Sequence, residues 1–184
     1  MTVHAPVSMS KEAFLAWVER SEGRYEFAGG RVSMMVRVTL SHALVTSNLI
    51  RALTTRLEPE RYNVVAEAFA VDIGPSVRFP DVLVQPAHAD KKALEAVAPI
   101  VIAEVLSPGT LHLDFGDKKR EYLSLPTLDT YLIVSPDEPR IWMWRRMDGE
   151  FPVEPEIIEG ADQQIVLPTL GVVVAFDEIY RGTL

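Results

Sequence analysis

Cysteine is absent from this 184-residue chain. That excludes disulfides and thiolate metal sites, and with them the small stapled scaffolds of secreted proteins. No apolar run approaches the roughly 18 residues that a membrane span needs. The start, Met1-Thr2-Val3-His4-Ala5-Pro6, lacks the basic opening and apolar core of a signal peptide. A cytoplasmic protein with no membrane contact is the expectation. Positive charge is also scarce, with 18 Lys and Arg against 26 Asp and Glu and a net charge of −8. Counterion release on duplex nucleic acid needs a basic surface, so this balance argues against tight non-specific binding. The deficit is uneven, because residues 150–184 hold seven acids and a single base, Arg181. Residues 1–149 carry 17 bases and 19 acids, and a local basic face is compatible with that. The four histidines, His4, His42, His88 and His112, show no ligand spacing, which makes zinc a poor candidate.

Hydrophobic residues make up 48% of the chain, enough for a buried core without staples. One compact domain over residues 1–184 is the expectation at this length. No repeat, linker or low-complexity tract interrupts it. Ser10 is placed to cap a helix over Lys11 to Glu19, with Phe14, Leu15, Trp17 and Val18 on its apolar stripe. Tyr25-Glu26-Phe27, Gly29-Gly30 and Arg31 to Val36 read as a hairpin with glycines in the turn. Thr39 or Ser41 caps a longer helix that closes at Pro59. Asn63 to Ile73 and Val77 to Val84 read as one antiparallel hairpin around Gly74-Pro75-Ser76. Ala89 to Ala98 reads as a short helix. Ile100 to Leu106 is apolar enough for a central strand covered on both faces. A helix follows from about Asp114 through Leu125, then strands at Tyr131 to Ser135 and Ile141 to Arg145. Glu156 to Glu159 and Ile165 to Leu167 are short and exposed in pattern, and Leu170 to Phe176 closes the chain.

Three residues carry chemistry. Asp81 follows Pro80 inside an apolar strand, where aspartate is poorly suited; an edge or bulge position is the plain alternative. Glu104 is the sole polar side chain in the run from Ile100 to Leu106. A buried glutamate shifts its pKa upward or takes a cation, and the plain alternative is an ion pair. Lys118 lies on the helix after that strand, and a simple i,i+4 pair with Asp114 accounts for it equally. Taken together, two carboxylates with waters make a hard-oxygen site suited to Mg²⁺ or Mn²⁺. Such a metal lowers the pKa of a bound water and neutralises phosphodiester charge, and a lysine nearby stabilises the developing anion.

These residues sit in a pattern that resembles the Uma2 endonuclease family, within the PD-(D/E)xK restriction-endonuclease-like superfamily. The carrying pieces are Tyr25-Glu26-Phe27-Ala28-Gly29-Gly30, Ser41-His42, Arg78-Phe79-Pro80-Asp81-Val82, Glu104-Val105-Leu106-Ser107-Pro108, the Asp114, Lys118, Tyr122 series and Tyr131-Leu132-Ile133-Val134. The resemblance implies an α/β restriction-endonuclease-like core, with a central mixed sheet flanked by helices and extra N-terminal and C-terminal β-hairpins. It implies Asp81 and Glu104 as metal ligands and Lys118 as the catalytic lysine, with Glu26 and His42 as further pocket positions. The superfamily's usual lysine stands two residues after the acid, which here is Leu106; the family's lysine comes from the following helix, matching Lys118. The chain departs from the family between Met35 and Ser41, where relatives often carry a Ser-Pro loop. The implied activity is Mg²⁺- or Mn²⁺-dependent hydrolysis of DNA phosphodiesters, in a chain that could pair as a homodimer. Two other readings stand beside it. One is a non-catalytic nucleic-acid-binding or interaction domain that retains the fold. The other is a structural oligomer using the Trp142 and Trp144 strand as an interface.

Overall fold

The computed structural model describes residues 9–21, 25–34, 38–66, 69–88, 90–107 and 111–183. Helix α1 (Lys11–Val18) starts where Ser10 accepts a hydrogen bond from the Ala13 N–H, and it buries Phe14. Phe14 stacks on Phe27 at 5.2 Å between ring centroids. Phe27 lies on β1 (Tyr25–Ala28), which turns through Gly29 and Gly30 into β2 (Arg31–Met34). Both glycines have positive φ, 55° and 79°, a region that a β-carbon penalises. The rest of the expected hairpin, Met35 and Val36, lies outside the described residues. Helix α2 (Leu40–Thr54) is capped by the Thr39 side chain, which accepts from the His42 N–H. It ends ahead of Pro59.

Strands β3 (Tyr62–Ala66), β4 (Val71–Ile73), β5 (Ser76–Arg78) and β6 (Val82–Pro86) depart from the expected single hairpin. Pairing does run from Tyr62 opposite Pro86 up to Ile73 opposite Ser76, but it is split between two sheets. β4 and β5 join a four-stranded sheet ordered β2-β1-β5-β4. β3 and β6 join a six-stranded one. The break falls at Phe79-Pro80-Asp81, where Pro80 has no N–H to give a ladder and biases its neighbour's backbone. Asp81 therefore sits at a bend one residue before β6, not inside a strand.

The larger sheet contains β7 (Val101–Val105), β8 (Thr130–Val134), β9 (Arg140–Arg145) and β10 (Glu156–Glu159) in the order β10-β9-β8-β7-β6-β3. It is mixed: β7 and β8 run parallel while its other neighbours are antiparallel. A parallel pair needs a crossover. Here that is helix α3 (Leu111–Leu113), a π-helical turn Asp114–Lys118 and α4 (Lys119–Leu123). The expected helix from Asp114 thus starts earlier and contains an unforeseen π-turn. Ala89 itself lies outside the described residues, and residues 90–98, where a helix was expected, hold one turn at Lys91-Lys92, an isolated bridge from Glu95 to Ala70 and otherwise irregular backbone. Their backbone is committed elsewhere: Ala96 N–H donates to the Ala70 carbonyl, Ala70 N–H to the Leu94 carbonyl, and Val97 N–H to the Gln85 side chain.

Side chains alternate across β7, as strand geometry requires. Val101, Ala103 and Val105 face α2, the hairpin β11 (Gln164–Leu167) and β12 (Val172–Ala175), and helix α5 (Phe176–Ile179). Ile102 and Leu106 face Tyr122, Leu128, Tyr131 and Trp144. Both faces are covered, which is why the strand reads as an unbroken apolar run. The C-terminal strands are half-buried and not simply exposed: Ile158, Ile165 and Leu167 point inward. Trp144 is buried, and Phe115 meets the Trp142 ring at 5.1 Å and the Trp144 ring at 6.3 Å. The tryptophan strand is thus used inside the chain.

Candidate active site

Glu104 lies on the β7 face that carries Ile102 and Leu106, beneath the crossover helices. Continuing the β6–β7 register from Val82 opposite Ala103 sets Asp81 opposite Glu104. Directly opposed residues of an antiparallel pair share a face. Asp81 Oδ2 accepts from the Val105 N–H at 2.8 Å, and His42 Nε2 lies 3.3 Å from the same oxygen. Glu104 Oε1 accepts from the Tyr122 hydroxyl at 2.8 Å and lies 3.1 Å from Lys118 Nζ.

The π-turn brings Asp114 and Lys118 inward together, 1% and 3% exposed. Lys118 Nζ also lies 3.2 Å from Asp114 Oδ1 and 3.4 Å from Glu26 Oε1. Glu26 arrives from β1 of the smaller sheet, and its other oxygen is 3.2 Å from Arg78 Nη1. Arg78, buried at the end of β5, donates through Nε to Glu121 Oε2 at 2.7 Å, and the Ser76 hydroxyl donates to Glu121 Oε1 at 2.7 Å. Among the described residues, four carboxylates (Glu26, Glu104, Asp114, Glu121) thus surround two cations, Arg78 and Lys118, and a fifth, Asp81, stands beside Glu104 and meets His42.

The imbalance shows in protonation. Burial pushes the Glu104 carboxyl well above the usual carboxylate range; Lys118 pulls it down, and Asp81, Asp114 and Glu26 push it up again. Burial acts to discharge Lys118, but Glu104, Glu26 and Asp114 outweigh it and hold the ammonium above its ordinary pKa. The phenols of Tyr122 and Tyr131 are raised by burial and by Glu104, so both remain hydrogen-bond donors. Tyr131 spends its proton on the Asp114 carbonyl at 3.1 Å.

Asp81, Glu104, Lys118, Glu26 and His42 therefore lie in one connected cluster. Position 106, the superfamily's usual lysine site, is a leucine in the apolar core. Among the described residues no group of three or more His, Asp or Glu side chains is arranged to hold a metal ion. Asp81 Oδ1 and Glu104 Oε2 make no hydrogen bond or ion pair among the described residues, whereas Glu26 Oε1, also without a hydrogen bond, lies 3.4 Å from the Lys118 amine. Sequence reasoning gave no role to Arg78 or Glu121. Arg78 opens the Arg78-Phe79-Pro80-Asp81-Val82 piece, but no local pattern ties it to an acid 43 positions away.

Fold and cluster together define an α/β protein of nuclease-like architecture. A crystal structure of a "putative nuclease belonging to DUF820" from Anabaena variabilis superposes with a TM-score of 0.71, covering 89% of this chain and 93% of that one at 16% identity. The family model "Uma2: Putative restriction endonuclease" matches residues 11–177, and the chain belongs to the Uma2 family. Two relatives from Synechocystis sp. are similar over long stretches. The uncharacterized protein slr1290 is 27% identical over 99% of this chain and 98% of its own length. The uncharacterized protein sll1609 is 26% identical over 73% of this chain and 78% of its own.

Proposed function

We propose that this chain is a Mg²⁺- or Mn²⁺-dependent endonuclease that hydrolyses DNA phosphodiester bonds at the Asp81, Glu104 and Lys118 cluster. The observation that carries the reading is the buried acid surplus around Glu104, with one open oxygen on each of Asp81 and Glu104. Charge of that kind is stable only when paired or bound to a cation. Asp81 and Glu104 would hold the metal, with waters completing a site that Mg²⁺ tolerates on one or two carboxylates. Such an ion supplies Lewis acidity and lowers the pKa of a bound water. The Val105 N–H and His42 fix the orientation of Asp81 through Oδ2. Tyr122 and Lys118 fix Glu104 through Oε1. The ammonium of Lys118, held charged by its neighbours, offers electrostatic stabilisation to an oxyanion and is a poor proton acceptor. Nucleases that cut both strands of a duplex are often dimers, and a homodimer is the assembly this reading favours.

One observation favours a non-catalytic domain: Lys118 is already satisfied by three carboxylates, as a structural ion-pair network would be. The two readings separate in a cleavage assay on plasmid and single-stranded DNA with Mg²⁺ or Mn²⁺. Wild-type cleavage that disappears in Asp81→Asn and Lys118→Met supports the nuclease. Cleavage that persists unchanged in both variants, or metal-independent binding with no cleavage, defeats it.

A further inference from the structure

We infer that Glu26 and Arg78, both carried by the smaller sheet, are positioning residues that hold the Lys118 amine against Glu104, an inference that rests on the nuclease reading of this cluster. Of the three carboxylates around Lys118 Nζ, Glu104 belongs to β7 and Asp114 to the lysine's own π-turn. Glu26 alone comes from a separate sheet. Its Oε1 makes no hydrogen bond, and its one cationic neighbour among the described residues is the amine, at 3.4 Å. Its Oε2 faces Arg78.

Arg78 is 2% exposed and divides itself between two acids. One is Glu26; the other, Glu121, lies one helical turn after Lys118 on the same crossover. The guanidinium therefore grips the segment that carries the lysine and the acid that meets the lysine's tip. Ser76 secures the second oxygen of Glu121 from the same strand as Arg78. A lysine has a flexible four-carbon stem, and the fixed fork of an arginine is suited to limiting where its partners can stand. Buried ion pairs add little net stability compared with apolar packing, so a purely scaffolding role is a weak reason to bury this one. The smaller sheet thereby becomes part of the working site.

The test uses Glu26→Gln, which keeps the shape, and Arg78→Lys, with the distant surface substitution Glu178→Gln as control. The first readout is the side-chain ¹⁵N–¹H signal of the Lys118 ammonium, assigned by its loss in Lys118→Met. The second is plasmid cleavage with Mn²⁺. A protected signal in wild type and control that broadens or shifts in both variants supports the inference. So does a kcat lowered about 10-fold with KM and the Mn²⁺-induced rise in Tm unchanged. Glu26→Gln should add no further loss in a Lys118→Met background. An absent wild-type signal, a signal unmoved by both variants, or a further loss in that background overturns it. If Glu26→Gln does not fold, Glu121→Gln, a less buried member of the chain, is read in its place. Absence of cleavage with any metal sinks the nuclease reading alone, because the ammonium signal still decides what holds Lys118.

Discussion

Lys118 Nζ stands 3.1 Å from Glu104 Oε1, although it approaches from the crossover while position 106 on the strand itself is a buried leucine. The pair is enclosed, with side chains 4% exposed on each partner. Removing one member of a buried pair leaves the other uncompensated, at a cost of about 3–5 kcal/mol. Lys118→Met strands three carboxylates at once. It should lower urea-measured stability by at least that range at neutral pH, and by less under acid conditions where the acids take protons. An equal loss at both pH values would mean that packing, and not charge, is the cause.

Glu104 contributes a pH dependence of its own to the metal-free protein. Its folded pKa is raised above the ordinary value of 4.5, chiefly by burial. The folded state therefore binds its proton more tightly than the unfolded chain does. Its contribution is fully present below pH 4.5 and is lost as pH rises through the folded pKa. Glu104→Gln cannot titrate. The wild-type minus Glu104→Gln stability difference should fall as pH rises from 4.5 in EDTA, and the fall should shrink with Mn²⁺ present. A difference that is flat across pH would remove the premise that Glu104 is under-neutralised.

Metal addition should act through Asp81 and Glu104 in equal measure. A ligand binding only the native state stabilises by about 2.7 kcal/mol at 100 times its Kd. Wild type should therefore gain several degrees in Tm under saturating Mn²⁺, and Asp81→Asn and Glu104→Gln should gain little. Asp81→Asn retains an acceptor for the Val105 N–H, so its metal-free Tm should stay near wild type. Stabilisation surviving in both variants would place any metal elsewhere.

Much of this architecture is written locally. β7 and β8 announce themselves as apolar runs, Ser10 as a cap, and Gly29-Gly30 as a turn, while the second helix's cap is narrowed to Thr39 or Ser41 and the structure selects Thr39. Glu104 stood out because nothing else polar occupies its strand. What local pattern misses is set by distant partners. Val77 to Val84 has the composition of one strand, yet Pro80 breaks the ladder and sends the halves into different sheets. Ala89 to Ala98 has helical composition, but Ala70 and Gln85 take the backbone groups that a helix would use. The π-turn at Asp114–Lys118 has no sequence period of its own to read, and it turns both side chains inward. Arg78 looked like an ordinary strand residue because its two acids come from β1 and α4.

Tyr122 offers a way to read the charge state of Glu104 without cleavage. Its hydroxyl donates to Glu104 Oε1 at 2.8 Å, and the ring is fully buried. A hydrogen bond to a charged group contributes about 1.5–3 kcal/mol, against about 0.5–1.5 for a neutral one. Burial disfavours the charged form of Glu104 in metal-free protein, so Tyr122→Phe should cost less there than where that charge is fixed. Bound Mn²⁺ favours the carboxylate, so the same substitution should cost more when metal is present. Tyr131→Phe is the matched control: it loses a bond to the Asp114 backbone carbonyl, which carries no charge and does not titrate. Its cost should be the same with and without metal. Urea unfolding of both variants in EDTA and in Mn²⁺ measures the four values. A Tyr122→Phe penalty that ignores the metal would mean that Glu104 is not its ligand, even if cleavage were seen.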